Sequence, residues 1–487
     1  MQNSGQQAGG SGQKTQWGEE DRMMQDAYKR TDLGCALSWR FPVWMGALWL
    51  CLALAAPAAA GTIWDRVTET TLPNGLKVLL VEEPKAPVVT VQIWYKAGAR
   101  NEPLGKGGLA HMMEHLMFKG TPKTGPKQFS VIVQRNGGQD NAHTARDAAA
   151  YYEDFAADRV NLGLELEADR MVNVLFEEKE FLPERDVVYE ERRLRIEDQP
   201  GVTLGEVMRA TAFMAHPYGR PTIGWPSEIK GWTLQDAMQF YKTYYAPNTA
   251  TLIVAGDIKK DEVLKKVTEL FGSIPRGPAP PPLVIPEEPP QIGERRVFVR
   301  KEAELPIFFA VHHAPNLTHP DSAPLSVLAY VLGGGESARL HKKVVYELQL
   351  ASYAGSDYNP VYKDPYLFGL SAGPLPGKTA EEVERAILGE VERVQNEPIT
   401  DRELQKAKNQ IEAEFVFAQD SVHMLANLLG AYESAASWKL LTTYLDGIRK
   451  VTTADVQRVA RQYIIADNRT VAILIPTKPG GGAPPAK

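Results

Sequence analysis

The sequence predicts an α+β protein made of two similar α/β sandwich halves. Three observations point there. Short apolar runs with strand character are mixed with amphipathic helical patterns in no strict alternation. A proline-dense stretch, Arg276–Gln291, falls near the middle of the chain that follows the N-terminal region. Prolines at that density form neither helix nor central strand, so the stretch reads as an extended linker. The segments on its two sides repeat one plan, in pattern and not in sequence identity.

Taken in order, Leu76–Val81 and Val88–Tyr95 read as strands. Gly107–Lys119, Arg159–Leu175 and Pro183–Glu197 read as helices, and Leu252–Gly256 as a strand leading into Asp257. Beyond the linker, Val297–Arg300 and Phe308–His312 read as strands, Ser322–Leu332 and Asp401–Gln419 as helices, and Val471–Ile475 as a last strand. The glycine cluster Gly333–Gly335 has no Lys-Ser/Thr after it, so it is a helix end or turn and not a phosphate loop. The expected division is a leader over 1–60, a first domain over 61–275, the linker over 276–296 and a second domain over 297–475. A Pro/Gly-rich disordered tail over 476–487 completes it.

At 487 residues the chain is long enough for two to four compact units, and 44% hydrophobic residues supply a large core. A net charge of -6 gives no reason to expect nucleic acid as a partner. The two cysteines, Cys35 and Cys51, both lie in the leader, so the remainder holds neither a disulfide framework nor a cysteine nucleophile. Within that leader, residues 41–60 form a long apolar run preceded by Arg40 and closed by Ala58-Ala59-Ala60. A basic flank, an apolar stretch and small residues at the end describe a secretory signal. The expectation is cleavage after Ala60 and export to the periplasm. The alternative is an uncleaved anchor over residues 41–60, the one route by which this chain would meet a membrane.

The segment that carries chemistry is His111-Met-Met-Glu114-His115. On a helix, positions i and i+4 share a face, so His111 and His115 present two imidazoles to one ion. Glu114 lies beside them, placed to move a proton without being a ligand. Two histidines and a glutamate in this order suit zinc, which makes water acidic near neutral pH and polarises a carbonyl. A catalytic zinc takes three protein ligands, and the third is not in the motif. Read blandly, the segment is two surface histidines and a glutamate on an amphipathic helix. His216, His312, His313, His319, His341 and His423 form no second motif of this kind.

With this motif the sequence resembles the pitrilysin/insulinase-type zinc peptidases, and within them the mitochondrial processing peptidases and their bacterial relatives. The resemblance extends through Tyr95–Glu102, Phe118–Thr121, Asn141–Asp147 with Tyr151, His216–Gly219, Gly224, Tyr245–Asn248 and Gly256-Asp257. It implies two halves enclosing a chamber and a zinc metalloendopeptidase acting on peptides or unfolded protein segments, with Glu114 as general base and one zinc per chain. It implies a third ligand on a later helix. Glu191 follows His115 at the family's spacing of 76 positions, with Glu190 as the neighbouring rival. It places a supporting glutamate seven positions earlier, at Glu184, where a plain helix-start charge is the other reading. It assigns Asn141 and Ala142 to a strand that pairs with the substrate backbone.

In the second half, Val345 and Ser352 stand where the family often carries an arginine and a tyrosine that hold substrate, with Tyr346 and Tyr353 nearby. The resemblance therefore implies the metal-bearing chain of a two-chain enzyme, paired with a metal-free homologue or with a second copy. The competing reading is a non-catalytic scaffold or binding subunit, since some chains of the family are silent.

Overall fold

The computed structural model describes residues 62–477. The leader, with its expected cleavage after Ala60, and the tail beyond 477 lie outside them. Two sheets organise these residues. The first has six strands, β1 (Val67–Thr71), β2 (Lys77–Glu82), β3 (Val88–Tyr95), β4 (Gln139–Thr144), β5 (Ala149–Ala156) and β6 (Ala250–Gly256), in the order β1-β2-β6-β3-β5-β4. The second has five, β7 (Arg295–Glu302), β8 (Ile307–Ala314), β9 (Ala351–Tyr358), β10 (Tyr366–Pro374) and β11 (Arg469–Thr477), in the order β7-β11-β8-β10-β9. Each sheet holds one parallel pair, β2 with β6 and β11 with β7, and is otherwise antiparallel. The repeated plan is thus a repeated topology, with β1 added to the first copy.

Side-chain alternation gives each sheet two buried faces. On β6, Leu252 and Val254 join the core under the helices Leu109–Leu116, Val160–Asn173, Leu234–Tyr244 and Lys260–Phe271. Ile253 and Ala255 point the other way, against Leu425, Leu429 and Tyr432 of the helix Val422–Ala435 from the second half. The second sheet does the reverse. One face carries Phe308, Phe368 and Ile473 under its own helices. The other, with Leu367, Ala472 and Leu474, is covered by Leu204, Met208 and Ala212 of the first-half helix Pro200–Ala212. Each half lends one helix to the other's sheet. At about 1.5–3 kcal/mol for each fully buried side chain of leucine size, these exchanged faces hold the halves together.

The expected linker is shorter than the sequence suggests. Residues 275–294 carry no regular structure, and Arg295 and Arg296 already belong to β7. The linker is also pinned: the Glu288 carboxylate accepts N–H bonds from Met214, Ala215 and His216. The expected tail begins later, because Pro476 and Thr477 pair with Lys301 and Glu302 of β7. Among the described residues no helix is long and apolar enough to cross a membrane.

Two helices differ most from their expected limits, the others by one or two residues at an end. The helix expected from Pro183 begins at Glu178 and keeps Pro183 inside. Glu178 and Glu180 favour the positive N-terminal end. The N–H that Pro183 lacks would have reached the Lys179 carbonyl, on a residue already open to solvent. The helix expected over Gly107–Lys119 runs only over Leu109–Leu116. Gly108 sits at φ 87°, and a Cβ there would lie 2.3 Å from the Ile223 carbonyl oxygen, so only glycine lets the chain turn into the helix at this point. The buried Glu102 carboxylate then accepts the N–H groups of Gly108 and Ala110, each at 2.8 Å, and fixes the helix start.

Candidate metal centre

His111, Glu114 and His115 lie on the helix Leu109–Leu116, packed over the first sheet through Leu109, Met112 and Met113. The helix Glu178–Arg192 lies beside it, anchored by buried Val188 and by Arg192. Arg192 makes two 2.8 Å bonds to Glu206 and one to the Gly224 carbonyl. That anchor stands next to Glu191 and fixes where its side chain emerges.

The two imidazoles are 4.8 Å apart between ring centres, edge to face. Glu191 Oε2 lies 3.3 Å from His115 Nε2 and 3.7 Å from His111 Nε2. One donor atom from each of the three residues falls within 4.8 Å of the others. Glu190 turns to solvent, its side chain 57% exposed against 14% for Glu191, and pairs with Arg193. Glu184 is two turns before Glu191 on the same face. Its Oε1 is 2.8 Å from His115 Nδ1, and it is also ion-paired with Lys119. A carboxylate on Nδ1 sets the ring so that Nε2 faces Glu191.

The electrostatics follow from these contacts. Burial opposes charge on His115, but the hydrogen bonds to Glu184 and Glu191 outweigh it and raise its pKa to about 9. Burial opposes charge on Glu191 too; the bond to His115, with His111 and Arg195 nearby, lowers it to about 2. His111 is dominated by burial and falls to about 4, with Glu191 opposing. Glu114 is 1% exposed. Burial raises it to about 8, opposed by His115 and by a hydrogen bond from Thr144. Thr144 Oγ1 donates that bond to Oε2 at 2.6 Å, and Oε1 is buried with no hydrogen-bond partner.

Asn141 and Ala142 lie on β4, the outer strand of the first sheet, in register with Tyr152 and Tyr151 of β5. Thr144 closes the same strand, so the sheet edge runs up to the Glu114 carboxylate. His143 points to the opposite face, its ring edge-on to Trp94 at 5.2 Å. In the second half, Val345 packs against the core, while Tyr346 is 79% exposed, on a π-helical segment, His341–Glu347. Ser352 and Tyr353 lie on β9, the outer strand of the second sheet.

Three residues with roles here were not singled out for them from sequence. Thr144 was legible in principle, because it shares a strand face with Ala142. Arg195, whose Nη1 is 3.2 Å from Glu191 Oε1, follows the i,i+4 rule for opposite charges. Glu102 gave no signal, since its partners are backbone groups in the next turn of chain.

Two histidine nitrogens and one carboxylate oxygen, converging in a partly buried niche beside an unpartnered glutamate oxygen, form a donor set that fits zinc. The model for "Insulinase (Peptidase family M16)" matches residues 77–225, and that for "Peptidase M16 inactive domain" matches residues 231–411. The chain is 34% identical over 432 residues to the zinc protease PqqE of Helicobacter pylori, covering 88% of this chain and 97% of that one. It is 28% identical over 416 residues to a probable mitochondrial-processing peptidase subunit beta of Arabidopsis thaliana, covering 84% and 78%. The crystal structure of a protease from Helicobacter pylori superposes with a TM-score of 0.80 at 34% identity, covering 84% of this chain and 99% of that chain. On these matches, over both halves, the chain belongs to the insulinase family of peptidases, M16.

Proposed function

We propose that this chain is a zinc metalloendopeptidase that hydrolyses peptides or unfolded protein segments. The observation that carries the reading is the convergence of His111, His115 and Glu191 beside a buried Glu114 with one oxygen free. His111, His115 and Glu191 would hold the ion, and Glu184 would orient His115. Bound there, zinc supplies Lewis acidity toward a peptide carbonyl and makes water acidic near neutral pH.

The rest of the chemistry belongs to the chain. In its ionised form Glu114 takes the proton of the attacking water at Oε1 and returns it to the leaving amine. Thr144 holds Oε2, so the carboxylate keeps one orientation through both transfers. The outer edge of β4, at Asn141 and Ala142, pairs with an extended peptide backbone. That pairing reads main chain and not side chains, which suits unfolded segments. Because Thr144 ends the same strand, a peptide aligned along β4 is delivered toward Glu114.

Glu114→Gln tests this reading. The variant should keep zinc, since neither histidine is touched, and lose peptide hydrolysis by about a thousandfold. A variant with more than a few per cent of wild-type turnover would remove Glu114 as the base. A wild-type chain that binds zinc yet cleaves no unstructured peptide under any pairing would favour the scaffold reading.

A further inference from the structure

The helix that carries Glu191 does not end in a regular α-turn. After Arg192 it widens into a π-turn over Arg193–Glu197, where the Asp198 N–H reaches the Arg193 carbonyl at 2.8 Å. Single π-turns inside helices occur frequently at functional sites. Arg192, immediately before the turn, is locked to Glu206, so the start of the widened segment is fixed. The segment carries Arg195 back over Glu191.

The contact divides the two carboxylate oxygens. Arg195 Nη1 lies 3.2 Å from Oε1. The other oxygen, Oε2, is the one set 3.3 Å and 3.7 Å from the two histidine nitrogens. Arg195 keeps 34% of its side chain exposed while Glu191 keeps 14%, so this is a pair with one partner largely withdrawn from water. Such a pair is less screened than a fully exposed one.

We propose that Arg195 is a positioning residue for the metal: it holds Oε1 of Glu191 aside, so that the carboxylate offers a single oxygen to the ion. The inference rests on the zinc reading above. A glutamate free to rotate can give a metal both oxygens. The second oxygen then fills the position that a hydrolytic site leaves open for water and substrate. A cation bound to that oxygen withdraws it. What the role needs is a positive charge beside Oε1, which Arg195 places with Nη1 at 3.2 Å. A lysine, which acts as a point charge, should therefore replace Arg195 here, although it fails where two parallel bonds are needed. An uncharged side chain of similar length should not.

Cobalt(II) in place of zinc reports the coordination number through its visible absorption, which is stronger for four ligands than for five. The full chain loaded with one equivalent of cobalt should give a strong band in wild type and in Arg195→Lys. The band should be weaker by about twofold or more in Arg195→Met, as the geometry opens to a fifth ligand. Arg195→Leu, read in the same way, serves if the methionine variant does not fold. In the uncharged variants kcat should fall with KM little changed, because the lost order concerns the reacting centre. An Arg195→Met or Arg195→Leu chain that binds one cobalt with the wild-type band would overturn the role of Arg195 and leave the metal site standing. A wild-type chain that takes up no cobalt or zinc would overturn the metal site itself, and this inference with it.

Discussion

At the scale of single residues, the site is a set of groups whose protonation is set by one another. In the metal-free chain His115, near pKa 9, carries a proton at neutral pH, while Glu191, near 2, is ionised. His111, near 4, is already neutral. An entering ion must therefore expel the proton of His115, because the ligand form of histidine is the neutral one. Zinc affinity should fall as the pH drops from 8 to 6, by up to about tenfold per unit for that one proton. Competition with a chelator at fixed pH measures it, and an affinity flat over that range would contradict the assignment. Glu184→Gln, by removing the carboxylate on Nδ1, should make the slope shallower. His111, Glu114 and His115 were legible because one helical spacing displays them. Glu191 was legible only by resemblance to a family, since no local pattern separates it from Glu190. What separates them is burial: Glu190 faces solvent beside Arg193, and Glu191 faces the histidines.

At the scale of elements, alternation and amphipathicity located most strands and helices, and packing moved their ends. The helix over Leu109–Leu116 starts where Gly108 turns left-handed, a conformation set by the approach of Ile223 from a distant loop. Pro183 sits within its helix, where the carbonyl it leaves unbonded belongs to exposed Lys179. β4 carries Gln139, Asp140, Asn141 and His143 and has little strand character of its own; pairing with β5 makes it a strand. The helix Val422–Ala435 shows a tighter constraint. A Cβ at Gly430 would stand 2.0 Å from the Trp94 ring, so this residue sets how closely the helix approaches the first sheet. Gly430→Ala should destabilise the protein by about 1–3 kcal/mol through overpacking. Gly389→Ala, in the helix Ala380–Asn396 with nothing within 4 Å, should stabilise it by about 0.5–1 kcal/mol. Urea melts of both variants check the contrast, and equal shifts would contradict the close approach.

At the scale of the whole molecule, the repeated plan was legible, and the exchange of helices was not. Both Pro200–Ala212 and Val422–Ala435 are simply apolar on one side, and nothing local says which sheet that side will cover. The exchange seals the halves to each other through shared cores, with His111, His115 and Glu191 gathered on the first half. The second half repeats the topology but offers Val345 and Ser352 where substrate-holding side chains were expected. A valine donates no hydrogen bond, and Ser352 already donates its own to the Gly373 carbonyl. The chain alone should therefore show low peptidase activity, restored by a metal-free homologue from the same source. Full activity that survives dilution of the isolated chain would contradict it. Whether His111, His115 and Glu191 hold a zinc ion is read by elemental analysis of the purified chain after dialysis. Wild type and Glu190→Gln should each retain one zinc per chain, and Glu191→Gln should lose most of it. Equal zinc in the two glutamine variants, or none in wild type, would contradict the assignment.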